Sequence, residues 1–212
     1  MKPFFIVILA ASLITGCAYQ APVTMSPAYN VYSSYEEDVP GKWAFWVDAE
    51  RFKDNGVKPS SYGCSAHTFP IDSTNAFEKS ALKTFSNLVD SIEKVNSPIP
   101  AHKLAESGFD GQIIISGEDL DVDLVFISGF WTMTAEAEVS YEASLSVFLQ
   151  TGKIIGTTVS AEGEETGAGG GTCSGGAQVI GQAAEDGMKR LLRRLGEKFS
   201  SSTRLRENLA KR

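Results

Sequence analysis

WTMTAEAEVSYEASLSVFL, Trp131–Leu149, is the stretch on which the reading of this chain turns. Taken two residues at a time it sorts without exception until its end: Trp131, Met133, Ala135, Ala137, Val139, Tyr141, Ala143, Leu145, Val147 and Leu149 fall on one side. Thr132, Thr134, Glu136, Glu138, Ser140, Glu142, Ser144 and Ser146 fall on the other. A helix repeats near 3.6 residues and cannot produce that separation, whereas side chains of a strand alternate between the two faces. The stretch therefore predicts a strand with one face on a core and one face wet. At about 3.3 Å per residue it would run roughly 60 Å, more than a small domain needs, so a bend or bulge is expected along it. Gln150-Thr151-Gly152-Lys153 then turns the chain back into Ile154–Glu162 and makes a hairpin.

The same period of two begins upstream at Asp110, in QIIISG and DLDVDLVFI, and occurs again in KWAFWVDA, Lys42–Ala49. Two other stretches carry the helical period. Phe77, Ala81, Phe85, Leu88, Ile92 and Val95 predict a helix over 73–95, begun by Asp72 or Ser73 and ended by Pro98 and Pro100. Val179, Ile180, Ala183, Ala184, Met188, Leu191, Leu192, Leu195 and Phe199 predict a second helix over 176–199. In that helix Glu185 and Asp186 precede Lys189, Arg190, Arg193, Arg194 and Lys198, the order the helix dipole favours. The expected fold class is α+β: a mostly antiparallel four- to five-stranded sheet with two helices packed on one face. That would be a single domain over 42–199, followed by a polar tail, 200–212, that frays or weakly extends the helix.

The N-terminus supplies an address. Lys2 precedes the apolar run Phe4–Ala11, too short for a membrane span, and the run closes on Leu13-Ile14-Thr15-Gly16-Cys17. This resembles the lipobox of bacterial lipoproteins, in which the cysteine at the cut is acylated and becomes the first residue of the mature chain. The resemblance implies a signal peptide over 1–16 and lipid on Cys17. Each buried methylene would contribute about 0.8 kcal/mol, so two or three acyl chains hold a protein on a membrane durably. Ala18 stands where an aspartate would signal inner-membrane retention, which implies an outer-membrane location with the domain in the periplasm. Residues 17–41, rich in Pro, Ser and Tyr and without apolar period, read as a flexible lipid-anchored tether.

Loss of Lys2 leaves 18 basic against 26 acidic residues, a net charge of 18 − 26 = −8. Nucleic acid is therefore not an expected partner, because that binding needs clustered cations. The order strand, helix, antiparallel strands, helix resembles small domains of bacterial envelope assembly factors: the TolB N-terminal domain, CsgG-like lipoproteins and the auxiliary lipoproteins of envelope lipid transporters. That likeness covers about 150 residues in element order only and implies an accessory role without site residues.

With Cys17 carrying lipid, Cys64 and Cys173 remain as a pair in an oxidising compartment, where a disulfide is the expected fate; the alternative is two separate thiols, one of them reactive. Three other groupings carry side chains capable of chemistry. Cys64 and His67 lie close, but a nucleophile also needs an orienting group and an oxyanion site. Asp119, Asp121 and Asp123 suggest a divalent cation, yet an EF-hand beginning at Asp119 needs glycine at Leu124 and glutamate at Phe130. GAGGGTCSGG, Gly167–Gly176, lacks the Lys-Ser/Thr of a phosphate loop and reads as a connector.

The expectation is a non-enzymatic accessory or assembly subunit of an envelope transport or secretion machine. It would have no cofactor beyond covalent lipid on Cys17 and no metal. Its partner surface would be the acidic sheet face, Glu136, Glu138 and Glu142, or an exposed strand edge. The alternatives are a CsgG-like oligomeric secretion pore, built from the Trp131–Glu162 hairpin, and a periplasmic carrier of lipid or another apolar ligand. Replacing Cys17 by serine is expected to move the chain from the membrane to the soluble fraction and to remove acyl mass from its N-terminus. Mass spectrometry of the two fractions checks both.

Overall fold

The computed structural model describes residues 18–24 and 26–211; Cys17 and the expected signal peptide lie outside the described residues. Five strands make the main sheet: β1, Val39–Asp48; β4, Val89–Lys94; β5, Gly111–Ser128; β6, Met133–Leu149; and β7, Gly152–Ala168. Two short strands, β2 at Lys53–Asp54 and β3 at Ile71–Asp72, pair apart from it. The helices are α1, Thr74–Phe85; α2, Gly175–Ser200; and α3, Thr203–Leu209.

The order across the main sheet is β4-β1-β5-β6-β7. β1 runs parallel to both β4 and β5, while β5, β6 and β7 form an antiparallel meander. The sheet is thus mixed rather than mostly antiparallel, and the source of the difference is the first helix. It ends at Phe85, not at 95, and Val89–Lys94 returns as a strand beside β1. Leu88, Ile92 and Val95 keep helical spacing only by coincidence. β4 is an edge strand with Asp90, Ser91 and Glu93 exposed, so it shows little alternation to read.

β6 behaves as its pattern demands. Ala135, Ala137, Val139, Tyr141, Ala143, Leu145, Val147 and Leu149 are buried, and Glu136, Glu138 and Glu142 are exposed. The irregularity expected of so long a ribbon falls in its neighbours: β5 bulges between Gly117 and Asp119, and the β6–β7 register shifts after Val147. Trp131, however, lies beyond the strand, in the loop between β5 and β6.

The covered face carries α1 and α2. Trp43 meets Phe199 at 5.5 Å between ring centres, Phe199 meets Phe85 at 5.5 Å, and Phe52 packs edge-on against Phe77 and Tyr141. The Tyr141 hydroxyl is buried and lies 2.6 Å from the Ser73 hydroxyl. Burial pushes its phenol far above the ordinary value, with the Ser73 contact opposing. Ser73 is thereby drawn away from capping α1. Asp72 serves instead, accepting from the Thr74 N–H at 3.0 Å and its hydroxyl at 2.6 Å. These bonds hold the Asp72 carboxyl below its ordinary value. Its contribution is accordingly complete above the unfolded value and is lost as pH falls through the lower folded one.

The described residues of 18–41 are not a free tether. Ala18 and Ala21 form parallel bridges with Thr68 and Ile71, and Ala21, Ser26 and Ala28 are buried. Ser26 and Ala28 donate their N–H groups to the Ser80 and Thr84 hydroxyls of α1. The segment is uncharged from Ala18 to Tyr35, and its small side chains suit close packing on helices. The tail is equally engaged: α3 is capped by Ser202 and buries Leu205, while Arg206 lies over the Tyr35 ring and donates to the Glu37 and Asp38 carbonyls.

α2 lies directly on β6 and β7. A Cβ at Gly163 would collide with the Ala183 carbonyl oxygen and the Gly187 nitrogen; one at Gly187 would stand 3.0 Å from the Val139 carbonyl oxygen. Gly163→Ala is therefore expected to cost about 3 kcal/mol, and Gly171→Ala, where nothing lies within 4 Å, less than about 0.5 kcal/mol. Urea unfolding midpoints of the two variants measure the difference.

Candidate functional site

The uncovered face of the sheet is divided into zones along the β5–β6–β7 ribbon. At one end the segment 95–110 folds over it, where Leu104 and Phe109 bury against Ala44 with Val95, Ile99 and Phe148. Gln112, fully buried there, accepts from the Ile99 N–H at 3.0 Å. Next along come hydroxyls, Ser116, Ser144, Ser146 and Thr158.

Beyond them lie eight carboxylates: Asp119, Asp121, Asp123, Glu136, Glu138, Glu142, Glu162 and Glu164. The register places Asp119 opposite Glu142, and sets Asp123, Glu138 and Glu164 in one cross-strand row. All eight are exposed, and none takes part in the four ion pairs among the described residues. Directly opposed like charges each cost about 0.2–1 kcal/mol. The expected Glu136, Glu138 and Glu142 thus share one surface with five further acids. Asp119, Asp121 and Asp123 stand on its β5 side, but among the described residues no group of three or more His, Cys, Asp or Glu is placed to hold a metal ion. The strand edges are β4 and β7; on β7 the Ser160 carbonyl already accepts from Arg194.

The far end of the ribbon has a different chemistry. Cys64 and Cys173 are joined, with Cα atoms 5.9 Å apart and 109 residues between them in sequence. They are the two non-glycine residues with positive φ among those described, 62° and 65°. The bridge leaves no thiol to pair with His67. That imidazole instead stacks on Tyr19 at 5.6 Å, and its backbone N–H donates to the Cys64 carbonyl. The glycine-rich loop folds against the start of β6, where the Gly169 N–H donates to the Met133 carbonyl, and Met133 sulfur lies 3.5 Å from that of Cys64.

Past this bridge the β5–β6 loop, Gly129–Thr132, projects from the domain. Phe130 is 90% exposed and Trp131 89%, their rings edge-to-face at 4.8 Å. With Met133, Ala168, Gly170 and Gly171 they line an open hollow of about 510 Å³. Tyr62, 100% exposed, stands in the neighbouring loop, whose Ser61 hydroxyl accepts from the Phe126 N–H. Sequence reasoning passed over this group because Trp131 continues the apolar side of the β6 pattern; Ser128-Gly129 between two alternating runs was the available turn signal.

No family model and no curated protein matches the chain. Solved structures do. The Xanthomonas campestris protein XCC0632, of family DUF330, is 11% identical over 92% of this chain and 99% of its own, with a TM-score of 0.51. A putative neuraminyllactose-binding hemagglutinin homolog from Helicobacter pylori is 11% identical over 89% and 97%, with a TM-score of 0.48. A minor lipoprotein from Acinetobacter baumannii is 9% identical over 75% and 90%, with a TM-score of 0.39. At such identity the Xanthomonas likeness establishes a shared fold. No helix among the described residues is long and apolar enough to cross a membrane.

The disulfide closes a loop of about 110 residues, for which the chain-entropy relation gives at most about 4–5 kcal/mol. Replacing both Cys64 and Cys173 by alanine is expected to lower the melting temperature clearly while leaving the far-UV circular dichroism of the folded chain unchanged. A reductant should then have no further effect on the variant.

Proposed function

We propose that the chain is a lipid-anchored accessory or assembly subunit of a cell-envelope transport or secretion machine, without catalytic activity of its own, carried on the outer membrane by Cys17. The observation that carries the reading is the acidic face of β5, β6 and β7. Eight carboxylates of one sign on a rigid sheet are held against their mutual repulsion, an arrangement that destabilises the free domain and suits docking of a basic partner surface. The partner is accordingly an envelope protein with clustered Lys and Arg, held in place by the register of Glu136, Glu138 and Glu142.

Two features favour this over the alternatives. α2 covers the apolar side of β6 and β7, the side that a secretion pore would turn to lipid. The glycine contacts between α2 and the sheet likewise occupy the layer in which a carrier would lodge an apolar ligand.

Crosslinking in intact cells with Cys17 retained, followed by mass determination of the complex, tests the proposal. The expected result is capture of an envelope component at simple stoichiometry, lost in the triple variant Glu136→Lys, Glu138→Lys, Glu142→Lys. A large ring containing this chain alone would replace the reading by the pore, and copurified lipid would replace it by the carrier. Glu138→Gln, which removes the centre of the Asp123–Glu138–Glu164 row, is expected to raise stability by about 0.5 kcal/mol while weakening capture. A fall in stability would show that the row is held together in some other way.

A further inference from the structure

The end of the domain that carries the aromatic loop is also the end at which the chain arrives from Cys17. Ala18 bridges to Thr68, and the Tyr19 N–H donates to the Thr68 carbonyl. Tyr19 stacks between His67 and Phe69, and Phe69 lies 5.9 Å from Phe126, four residues before Phe130. Running backward from Ala21 to Ala18 follows Ile71 to Thr68, toward Cys64, Met133 and the loop. The described chain thus begins, at Ala18, at this end of the domain.

This end is uncharged. Between Lys58 and Asp72, between Asp123 and Glu136, and between Glu165 and Glu185 there is no Lys, Arg, Asp or Glu, and none from Ala18 to Tyr35. In a chain of which 21% is charged, parts of four uncharged segments meet here: Ala18 and Ala21 lie on Thr68 and Ile71, Phe69 on Phe126, and Gly169 on Met133. They present Tyr62, Phe130 and Trp131 with nearly whole side chains in solvent, and Ile127 at 47% exposure. The nearest carboxylate of the ribbon, Glu136, is four residues from Thr132, about 13 Å along a strand. An amphipathic surface resting in a bilayer reaches about 5–10 Å into the headgroup and acyl boundary. The acidic face would therefore remain in water, and the rings are of the kind that settle at membrane interfaces.

We infer that the Tyr62, Phe130 and Trp131 end of the domain rests in the lipid surface beside the acylated Cys17, so that the domain stands upright on the bilayer with its acidic sheet face lateral. The inference rests on the anchoring of Cys17 proposed above. The occupant is lipid rather than protein because the anchor is delivered to the same end. Attraction there is apolar, so it does not require anionic headgroups and is insensitive to salt. Binding of Ala18 and Ala21 to Thr68 and Ile71, in place of a free tether, is what makes a fixed orientation possible.

The test uses the full mature chain, purified from membranes and reconstituted into phosphatidylcholine vesicles with brominated acyl chains. Mass spectrometry first reads acylation of Cys17. Tryptophan quenching then reports Trp131, with Trp131→Phe as the subtraction standard that retains an apolar ring. Of the three tryptophans Trp43 is buried and Trp46 half-buried, so Trp131 is the exposed indole and the subtraction isolates its signal. The expected result is an acylated chain whose Trp131 emission is quenched by brominated lipid and shielded from aqueous acrylamide, equally at low and high salt. In the Cys17→Ser chain, Phe130→Ser with Trp131→Ser should lower affinity for the same vesicles about tenfold or more. Since both rings are exposed, its melting temperature should not change.

An acylated chain whose Trp131 stays accessible to acrylamide and untouched by bromine would overturn the orientation while leaving the anchor intact. A photoreactive group at position 130 that then captured one envelope protein would reassign the loop to that partner. A chain without acyl groups would remove the anchor and this inference with it.

Discussion

Everything in this domain depends on the close seating of α2 on the β6–β7 pair. Gly163 and Gly187 allow helix and strand backbones to approach where a methyl group would not fit, and the small side chains Ala135, Ala137, Ala143, Ala183 and Ala184 continue that contact along its length. The helix can therefore lie close over the ribbon and bury Met188, Leu191, Leu192 and Leu195 beneath it. Dispersion between closely packed atoms adds to the removal of apolar surface from water. With that face committed to the helix, alternation leaves the other face no choice but solvent.

The exposed face and the exposed end then divide two physical tasks. On the face, repulsion among carboxylates is tolerated because the strands are held by their ladder bonds and by the helix behind them. At the end, charge is absent and aromatic rings project instead. Separation of the two by about 13 Å of strand prevents the carboxylates from opposing contact with an apolar phase. The disulfide between Cys64 and Cys173 sits where the uncharged segments meet, and it ties the loop bearing Tyr62 to the glycine-rich turn under the β5–β6 loop. Two cysteines held at positive φ are the cost of that tie.

Some of this was legible in the chain because the physics involved is local. Alternation on β6 and helical period on α2 require no knowledge of neighbours, and both elements fall within a residue or two of their expected bounds. Glu136, Glu138 and Glu142 were legible as a face for the same reason. Which glutamate each aspartate of β5 faces was not legible, because the bulge after Gly117 sets that register. The helix expected to reach 95 failed at β4 because an edge strand buries almost nothing and leaves no period to detect. Residues 18–41 and 203–209 failed for a related reason: their order comes from contacts with α1, Tyr35 and one another across long sequence distances, not from their composition.

By itself the sequence determined which residues could be strand or helix, which side of each would be apolar, the excess of acid, and the presence of a pair of cysteines able to bridge. These follow from side-chain chemistry and from the two periods of the backbone. Only the tertiary structure decided that β4, β1 and β5 run parallel and that the N-terminal segment is bound rather than free. It also brought three exposed aromatic residues, Tyr62, Phe130 and Trp131, to the end where Ala18 is bound. Each of those depends on closure between residues tens to more than a hundred positions apart, and that closure is set by packing of the whole core, not by any local pattern.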